Sequence, residues 1–322
     1  MSTPGPVALI INPAATRART TDRTDITRVL APFGLEWTLT TESAGHATEL
    51  TRRVVDEGAR VVVTLGGDGT AAEVAAVLGG GPVAMVALPG GNANVYARAS
   101  GWPSSLPHAL PVLAAALAGG WRGASTLGQM VLDGETEHTF LTNAGVGIDA
   151  ATVEWVEARP RLKRRARRAG FALAAVLSAG RAIRGPRLHV SDGRVTVDAI
   201  TALVASASPY TYLGPRPLDL VPGAGQDGRV AWVALTRLRP IELAALMAKA
   251  LAGGTPDLGR PPLRGGPLTG ELVVTAARPV PVQADGEPLG HHREVRVRAG
   301  DTLTVVDPRG GAGLKSGGLR PT

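Results

Sequence analysis

The amino-acid sequence predicts an N-terminal α/β domain with a doubly wound parallel sheet, followed by a C-terminal antiparallel β-sandwich. Three observations carry this expectation. In the first third, short continuous apolar runs alternate with stretches of helical period, as in a parallel sheet covered by helices. From residues 119–128 onward the period changes to two and turn signals recur, the pattern of many short antiparallel strands. At 322 residues the chain is long for one hydrophobic core and ordinary for two.

Taken in order, strands are expected at 7–11, 35–40, 61–65 and 83–88, with helices near 22–30, 46–56 and 70–78 between them and another near 107–118. Such alternation places ligands at the carboxyl ends of the strands. Strands follow at 125–132, 137–143, 187–190, 195–205, 229–236, 271–276, 280–284, 294–297 and 302–306. A helical insertion at 151–184 interrupts them, and a further helix lies near 240–251. The domains are therefore expected at 1–124 and 125–308, with a glycine-rich, disordered tail at 309–322.

Composition excludes several functions. The chain has no cysteine, which removes disulfides, thiolate zinc sites and thiol nucleophiles and fits a reducing, cytoplasmic compartment. The N-terminus runs into the first strand with no export signal, and the apolar run at 171–180 is about half the length that a bilayer crossing needs. The net charge of +7 comes from residues 159–168, which hold six arginines and one lysine; elsewhere acids and bases balance. This segment is either a solvated basic face or a contact for an anionic membrane surface, where each basic residue contributes ~1 kcal/mol. Nucleic acid is a poor partner, because five Trp, three Tyr and three Phe leave few rings for base stacking. The six histidines form no metal pattern, and no G-x-S-x-G or H-E-x-x-H occurs. The G-x-G-x-x-G at 223–228 leads into a strand instead of a helix, and Gly313-Leu314-Lys315-Ser316 lacks the Walker spacing.

The strongest chemical signal is Gly66-Gly67-Asp68-Gly69, between a buried strand and a helix. Three glycines in four residues permit a sharp turn that presents N–H groups at a helix N-terminus to an anion such as phosphate. A tight turn with no ligand accounts for the same glycines. Asp68 sharpens the choice, because a carboxylate in a phosphate cradle repels its guest unless a divalent cation stands between them. A second such loop, Pro89-Gly90-Gly91-Asn92-Ala93-Asn94, follows the next strand; Asn12-Pro13 and Thr40-Thr41 follow the first two. Their expected convergence on one crevice favours the phosphate site.

These residues resemble the diacylglycerol kinase catalytic domain, and in particular the bacterial soluble lipid kinases, over about residues 7–308. The resemblance rests on Ile11-Asn12-Pro13, Gly45-His46-Ala47-Thr48, Gly66-Gly67-Asp68-Gly69-Thr70 with Glu73-Val74, Pro89 to Asn94 and Ala97-Arg98. It continues through Asn143-Ala144-Gly145-Val146-Gly147, Tyr212-Leu213-Gly214, Asp227-Gly228 and Asp285-Gly286-Glu287-Pro288-Leu289. The GGDGT loop is shared with NAD kinases, whereas the later Asp-Gly-Glu element favours lipid kinases. The resemblance implies an NAD kinase/diacylglycerol kinase-like first domain and a lipid-substrate second domain. ATP and Mg2+ are the cofactors it implies.

By the same resemblance, Asn12, Pro13, Ala14, Ala15, Thr16, Thr41, Gly66, Gly67, Asp68, Gly69, Thr70, Ala71, Ala72, Gly91, Asn92 and Asn94 line the nucleotide. Glu287 accepts the proton of the lipid hydroxyl with Asp285 beside it, and Asp68 serves the metal and the catalysis. Asp227, with the backbone carbonyls of Ala224 and Arg229, holds a second, structural magnesium. Without the resemblance, Asp285-Gly286-Glu287 reads as a β-turn. The chain departs from the family pattern at Asn92, where Thr or Ser is usual, and at Val95, where several members carry Asp; those members often have another Asp at the position of Thr126, and the resemblance then implies a thinner metal–water network around Asp68. The expected function is transfer of the γ-phosphoryl group of ATP to a lipid hydroxyl at the membrane surface. The alternatives are an NAD-kinase-like activity, or a nucleotide- or lipid-binding regulator.

Overall fold

The computed structural model describes residues 5–15, 20–159, 186–214, 216–237, 239, 242, 245–246, 248–249 and 254–310. The chain divides into two units, Met1–Leu127 with Asp301–Thr322, and Gly128–Gly300.

The first unit is built on four parallel strands, β1 (Val7–Ile11), β2 (Leu35–Thr40), β3 (Val61–Gly66) and β4 (Ala84–Pro89), in the order β4-β3-β1-β2. Strands β1, β3 and β4 are buried at every residue, which is why they read as continuous apolar runs. Helices α1 (Thr20–Leu30), α2 (His46–Asp56), α3 (Asp68–Leu78), α4 (Val95–Ala99) and α5 (Leu106–Ala118) connect and follow them. In α2 the buried positions Ala47, Leu50, Thr51 and Val54 mark one helical face. Helix α3 begins two residues before its expected start, because Gly67 takes the extended N-cap conformation and Asp68 places an acid in the positive first turn. Helix α4 was not expected; it is one short turn entered through left-handed Asn94, φ 49°.

The second unit takes up β5 (Arg122–Leu132) from Gly128 onward, then contains β6 (Thr136–Phe140), β7 (Asn143–Gly147), α6 (Ile148–Glu157), β8 (Leu188–Ser191), β9 (Thr196–Ala199), β10 (Thr201–Ala205) and the ribbon β11 (Thr211–Leu213) with β12 (Arg216–Leu218). It continues through β13 (Ala231–Leu235), β14 (Leu263–Pro267), β15 (Glu271–Ala284) and β16 (Glu287–Val306), the last passing into the first unit at Asp301. The order β14-β13-β10-β7-β15 is antiparallel throughout. An irregularity between Thr275 and Val280 lets β15 serve two layers, since its start pairs with β8 and its end with β7. Trp232, Val274, Val282, Val295 and Val297 belong to the core between them.

Several expected strands change. The strand expected at 137–143 is two, β6 and β7, because the backbone N–H groups of Leu141, Thr142 and Asn143 turn to the Asp285 carboxylate. The strand at 195–205 breaks at Ile200, whose N–H goes to the Leu235 carbonyl, so that β9 pairs with β8 and β10 with β13. The pairs 271–276/280–284 and 294–297/302–306 are each one long strand, and the residues from Asp301 belong with the first unit, where Val305 pairs with Met85. Strand β14 was missed for its two glycines; a Cβ on Gly265 would run into the Trp232 carbonyl and lie 2.9 Å from Val233 Cα, so only glycine lets β13 approach.

Most of the helical insertion (160–185), much of the 240–251 helix and residues 311–322 of the tail lie outside the described residues. Among the described residues no helix is long and apolar enough to cross a membrane.

Candidate functional site

In the first unit, all four segments expected to line a nucleotide sit at the carboxyl edge of the parallel sheet: Asn12 to Ala15 after β1, Thr41 after β2, Gly66 to Ala72 across the β3–α3 junction, and Gly91 to Asn94 after β4. Thr16 lies outside the described residues. Asn12 ties two of these segments together: its amide donates to Thr70 Oγ1 at 2.9 Å, while its Oδ1 accepts the Ala14 N–H at 3.0 Å. Thr41 is buried, and its N–H donates to the Ile11 carbonyl at 2.9 Å.

The two glycine loops pack on one another. Gly90 donates to the Gly66 carbonyl, and a Cβ on Gly90 would lie 2.8 Å from the Gly66 nitrogen; one on Gly91 would lie 2.6 Å from Gly67 Cα. A Cβ on Gly66 would meet Thr70. Gly67 differs, because its Cβ would meet nothing closer than Gly91 Cα at 3.8 Å. Gly66, Gly90 and Gly91 are thus required by packing, and Gly67 leaves an open face at the α3 N-terminus. Ala71 makes the first internal bond of α3, to the Gly67 carbonyl, and the N–H groups ahead of it lie at the helix N-terminus. Asn94 fixes the second loop from within, its Oδ1 accepting the Gly91 N–H at 2.8 Å and its amide donating to the Gly91 carbonyl at 2.9 Å. Asn92 and Ala93 are exposed.

Asp68 is half-buried in the first turn of α3, and its Oδ1 accepts the Tyr96 N–H at 3.1 Å, so one oxygen caps α4. That cap is 28 residues distant, and no local pattern announces it. Burial pushes the Tyr96 hydroxyl up to about 12. Glu73, which the motif includes, accepts the N–H groups of Gly45 and Ala47 at 3.0 Å each and ties the start of α2 to α3.

In the second unit, Asp285 and Gly286 both have positive φ, 49° and 83°, and join Ala284 to its strand partner Glu287. This is the two-residue hairpin geometry that an Asp-Gly pair favours. The Asp285 carboxylate is fully used: Oδ2 accepts the Leu141 N–H at 2.7 Å, and Oδ1 accepts the Thr142 N–H at 2.7 Å, the Thr142 hydroxyl at 2.6 Å and the Asn143 N–H at 3.2 Å. Burial pushes its carboxyl above the ordinary range, against the opposite pull of those donors. Asp285 is therefore built to hold the turn, and Glu287 follows it as an exposed first residue of β16.

Asp227, at φ 51°, Ala224 and Arg229 share one turn. The Asp227 carboxylate faces the Arg229 guanidinium at 3.4 Å, and the Arg229 carbonyl accepts the Gly225 N–H at 2.8 Å. Among the described residues no group of three or more His, Asp or Glu is set to hold a metal ion. On the sheet face away from the main core, an apolar cavity of about 160 Å³ is lined chiefly by Leu203, Leu220, Val233, Leu235 and Leu263, with Thr201 and Lys249 as its polar members. Of the basic segment, Arg159 is described; its guanidinium stacks 4.1 Å from the centroid of Trp155.

The protein is thus built of two units, the first carrying a GGDGT loop at the carboxyl edge of a parallel sheet. The family model for the diacylglycerol kinase catalytic domain matches residues 6–122, which lie within the first unit and hold the motifs on which the resemblance of that unit rests. Solved structures of similar fold include a diacylglycerol kinase from Bacillus anthracis str. Sterne, with 17% identity, 94% of this chain and 96% of that chain covered, and a TM-score of 0.67. Two further structures, of candidate diacylglycerol kinases from the same organism, match at 19% and 18% identity, with TM-scores of 0.68 and 0.64, 94% and 93% of this chain covered and 96% of theirs. At such identities the likeness shows the shared fold. No curated protein matches the sequence.

Proposed function

We propose that the protein is an ATP-dependent lipid kinase. The observation that carries this is the pair of glycine loops at the carboxyl edge of the parallel sheet, where Gly67 leaves the α3 N-terminus open to an anion. The residues present fit a nucleotide phosphate carried with magnesium: backbone N–H groups and Asn12 offer donors, and Asp68 supplies the carboxylate that a metal requires. When bound, magnesium neutralises charge on the transferred phosphoryl group.

Glu287 serves as the proton acceptor. As the acceptor hydroxyl loses its proton to Glu287, its oxygen bonds to the γ-phosphorus; the bond from that phosphorus to the β–γ bridging oxygen breaks, and ADP leaves. The Asp285 carboxylate holds the turn that carries Glu287. The second unit favours a lipid over NAD as acceptor, because its cavity is apolar. Such an apolar lining suits the end of a hydrocarbon chain better than a nucleoside.

The test is incubation of the purified protein with terminally labelled ATP and magnesium, with a mixed lipid extract in one tube and NAD in another. Label is expected in the organic phase, and Glu287→Gln should reduce it at least ~100-fold while ATP affinity is retained. Label in NADP would replace the proposal with the soluble-nucleotide activity. ATP binding with no transfer would leave a regulator.

A further inference from the structure

The Glu287 turn is gripped at a second point, by a buried side chain that no part of the chemistry above uses. Gln283 is 1% exposed and lies in β15, two residues before Asp285. Its neighbours Val282 and Ala284 face the main core, so Gln283 points to the opposite face of the strand. There its amide nitrogen donates to Asp149 Oδ2 at 2.7 Å and to Asn143 Oδ1 at 3.2 Å, while its Oε1 accepts the Gly286 N–H at 2.9 Å. The orientation of the amide is fixed by these partners: reversed, its oxygen would meet the Asp149 carboxylate and its nitrogen the Gly286 N–H.

The anchors of Gln283 are held in turn. Tyr210 Oη donates to Asp149 Oδ2 at 2.8 Å, and Asn143 donates to Thr142 Oγ1 at 3.1 Å. Thr142 Oγ1 then donates to Asp285 Oδ1. One network therefore reaches the Asp285-Gly286-Glu287 turn from both sides, through the Asp285 carboxylate and through the Gly286 N–H. Gly145 makes room for it, since a Cβ there would run into the Asp149 carboxylate and lie 3.0 Å from Gln283 Nε2.

An Asp-Gly pair forms a two-residue hairpin turn unaided. A buried amide and its four polar neighbours are more than the turn needs in order to fold, and burying them is costly unless every group is paired. We infer that Gln283 is a positioning residue: through the Gly286 N–H it stops the hairpin from pivoting and so fixes the direction in which Glu287 presents its carboxylate. This rests on Glu287 being the proton acceptor of the proposed lipid kinase.

Gln283→Met keeps the length and removes every hydrogen bond. In the full-length protein it is expected to lower kcat ~10- to 100-fold, the scale of a misplaced catalytic group, with the KM for ATP unchanged. In the Glu287→Gln background the same substitution should cause no further loss, because it acts through Glu287. An unchanged kcat, or an equal loss in both backgrounds, would overturn the inference. Where Gln283→Met does not fold, Tyr210→Phe removes one hydroxyl from the Asp149 anchor; a lower kcat at an unchanged melting temperature supports the inference, and a wild-type kcat overturns it.

A readout independent of turnover is amide hydrogen exchange across 285–287, which should accelerate in whichever of the two variants folds while exchange at 66–70 stays as in the wild type. No acceleration overturns the positioning role. Absence of phosphoryl transfer by the wild-type protein, with accelerated exchange in the variant, overturns the proposed reaction alone.

Discussion

Two glycines of the adjoining loops, Gly67 and Gly90, separate packing from ligand approach. Neither has a left-handed backbone, so alanine meets no conformational penalty at either site and the consequences are steric. At Gly90 a methyl group would lie 2.8, 2.9 and 3.1 Å from the nitrogen, oxygen and Cα of Gly66. All three are backbone atoms that cannot rotate away, so the loops must separate. The cost of such overpacking is about 1–3 kcal/mol, and Gly90→Ala should lower the urea midpoint accordingly. At Gly67 the nearest atom is 3.8 Å away. Restricting the unfolded chain favours alanine there by ~0.4–1 kcal/mol, and its poorer N-cap character offsets a similar amount, leaving stability nearly unchanged. If phosphates occupy the open face of α3, that methyl group takes their place, and ATP affinity should fall at least ~10-fold, equivalent to ~1.4 kcal/mol. Urea unfolding and calorimetric titration with Mg–ATP on both variants supply the comparison. Wild-type ATP affinity in Gly67→Ala would refute the phosphate cradle, and wild-type stability in Gly90→Ala would refute the packing of the loops.

Asn94→Ala loses two hydrogen bonds to Gly91 and leaves alanine at φ 49°, which together should cost ~2–4 kcal/mol; a urea midpoint near that of the wild type would contradict this. Asp285→Asn must turn an amide nitrogen toward a backbone N–H, and should destabilise by ~1–3 kcal/mol in thermal melts. Asp68→Asn keeps an oxygen to cap Tyr96 and removes only the charge, so the magnesium concentration needed for ATP binding should rise while the melting temperature holds; an unaltered magnesium response would remove Asp68 from the metal site. Burial raises the Asp149 carboxyl above its usual value of 3.8. Its contribution to stability is therefore complete below that value and is lost as pH rises through the higher folded-state value, so the gap in stability between wild type and Asp149→Asn should change between the two values and stay constant above the higher one. A gap that does not vary with pH would place the Asp149 titration elsewhere.

The parallel sheet was legible because burial on both faces writes itself as uninterrupted Val, Ile and Leu, and α2 because Ala47, Leu50, Thr51 and Val54 keep one face. What escaped is non-local. The break between β6 and β7 is set by a carboxylate more than 140 residues away, and α4 exists where Asp68 caps Tyr96. Strand β14 carries two glycines that local propensity counts against, yet the approach of Trp232 and Val233 requires Gly265. The glycine loops and the Asp-Gly-Glu turn stood out as motifs, but their division of labour did not. Gln283, Tyr210 and Asp149 occupy ordinary strand, loop and helix positions, and only the fold brings them under the turn.

Glycine content alone is therefore weak support for a phosphate site in this protein, since Gly66, Gly90 and Gly91 are accounted for by contacts within the first unit. The chemical argument narrows to Gly67, the N–H groups of α3, and Asp68. Asp68 is the one acidic residue in the two loops, and one of its oxygens is already committed to Tyr96. Val95, where several members of the family that the chain resembles carry Asp, is 8% exposed in the first turn of α4, an environment suited to a methyl-bearing side chain and costly for a charge. Magnesium characteristically takes one or two carboxylates and completes its octahedron with water and substrate phosphates. With so few ligands among the described residues at this edge of the sheet, the proposed reaction calls for the metal to arrive as Mg–ATP, its affinity for the protein depending on the nucleotide that carries it.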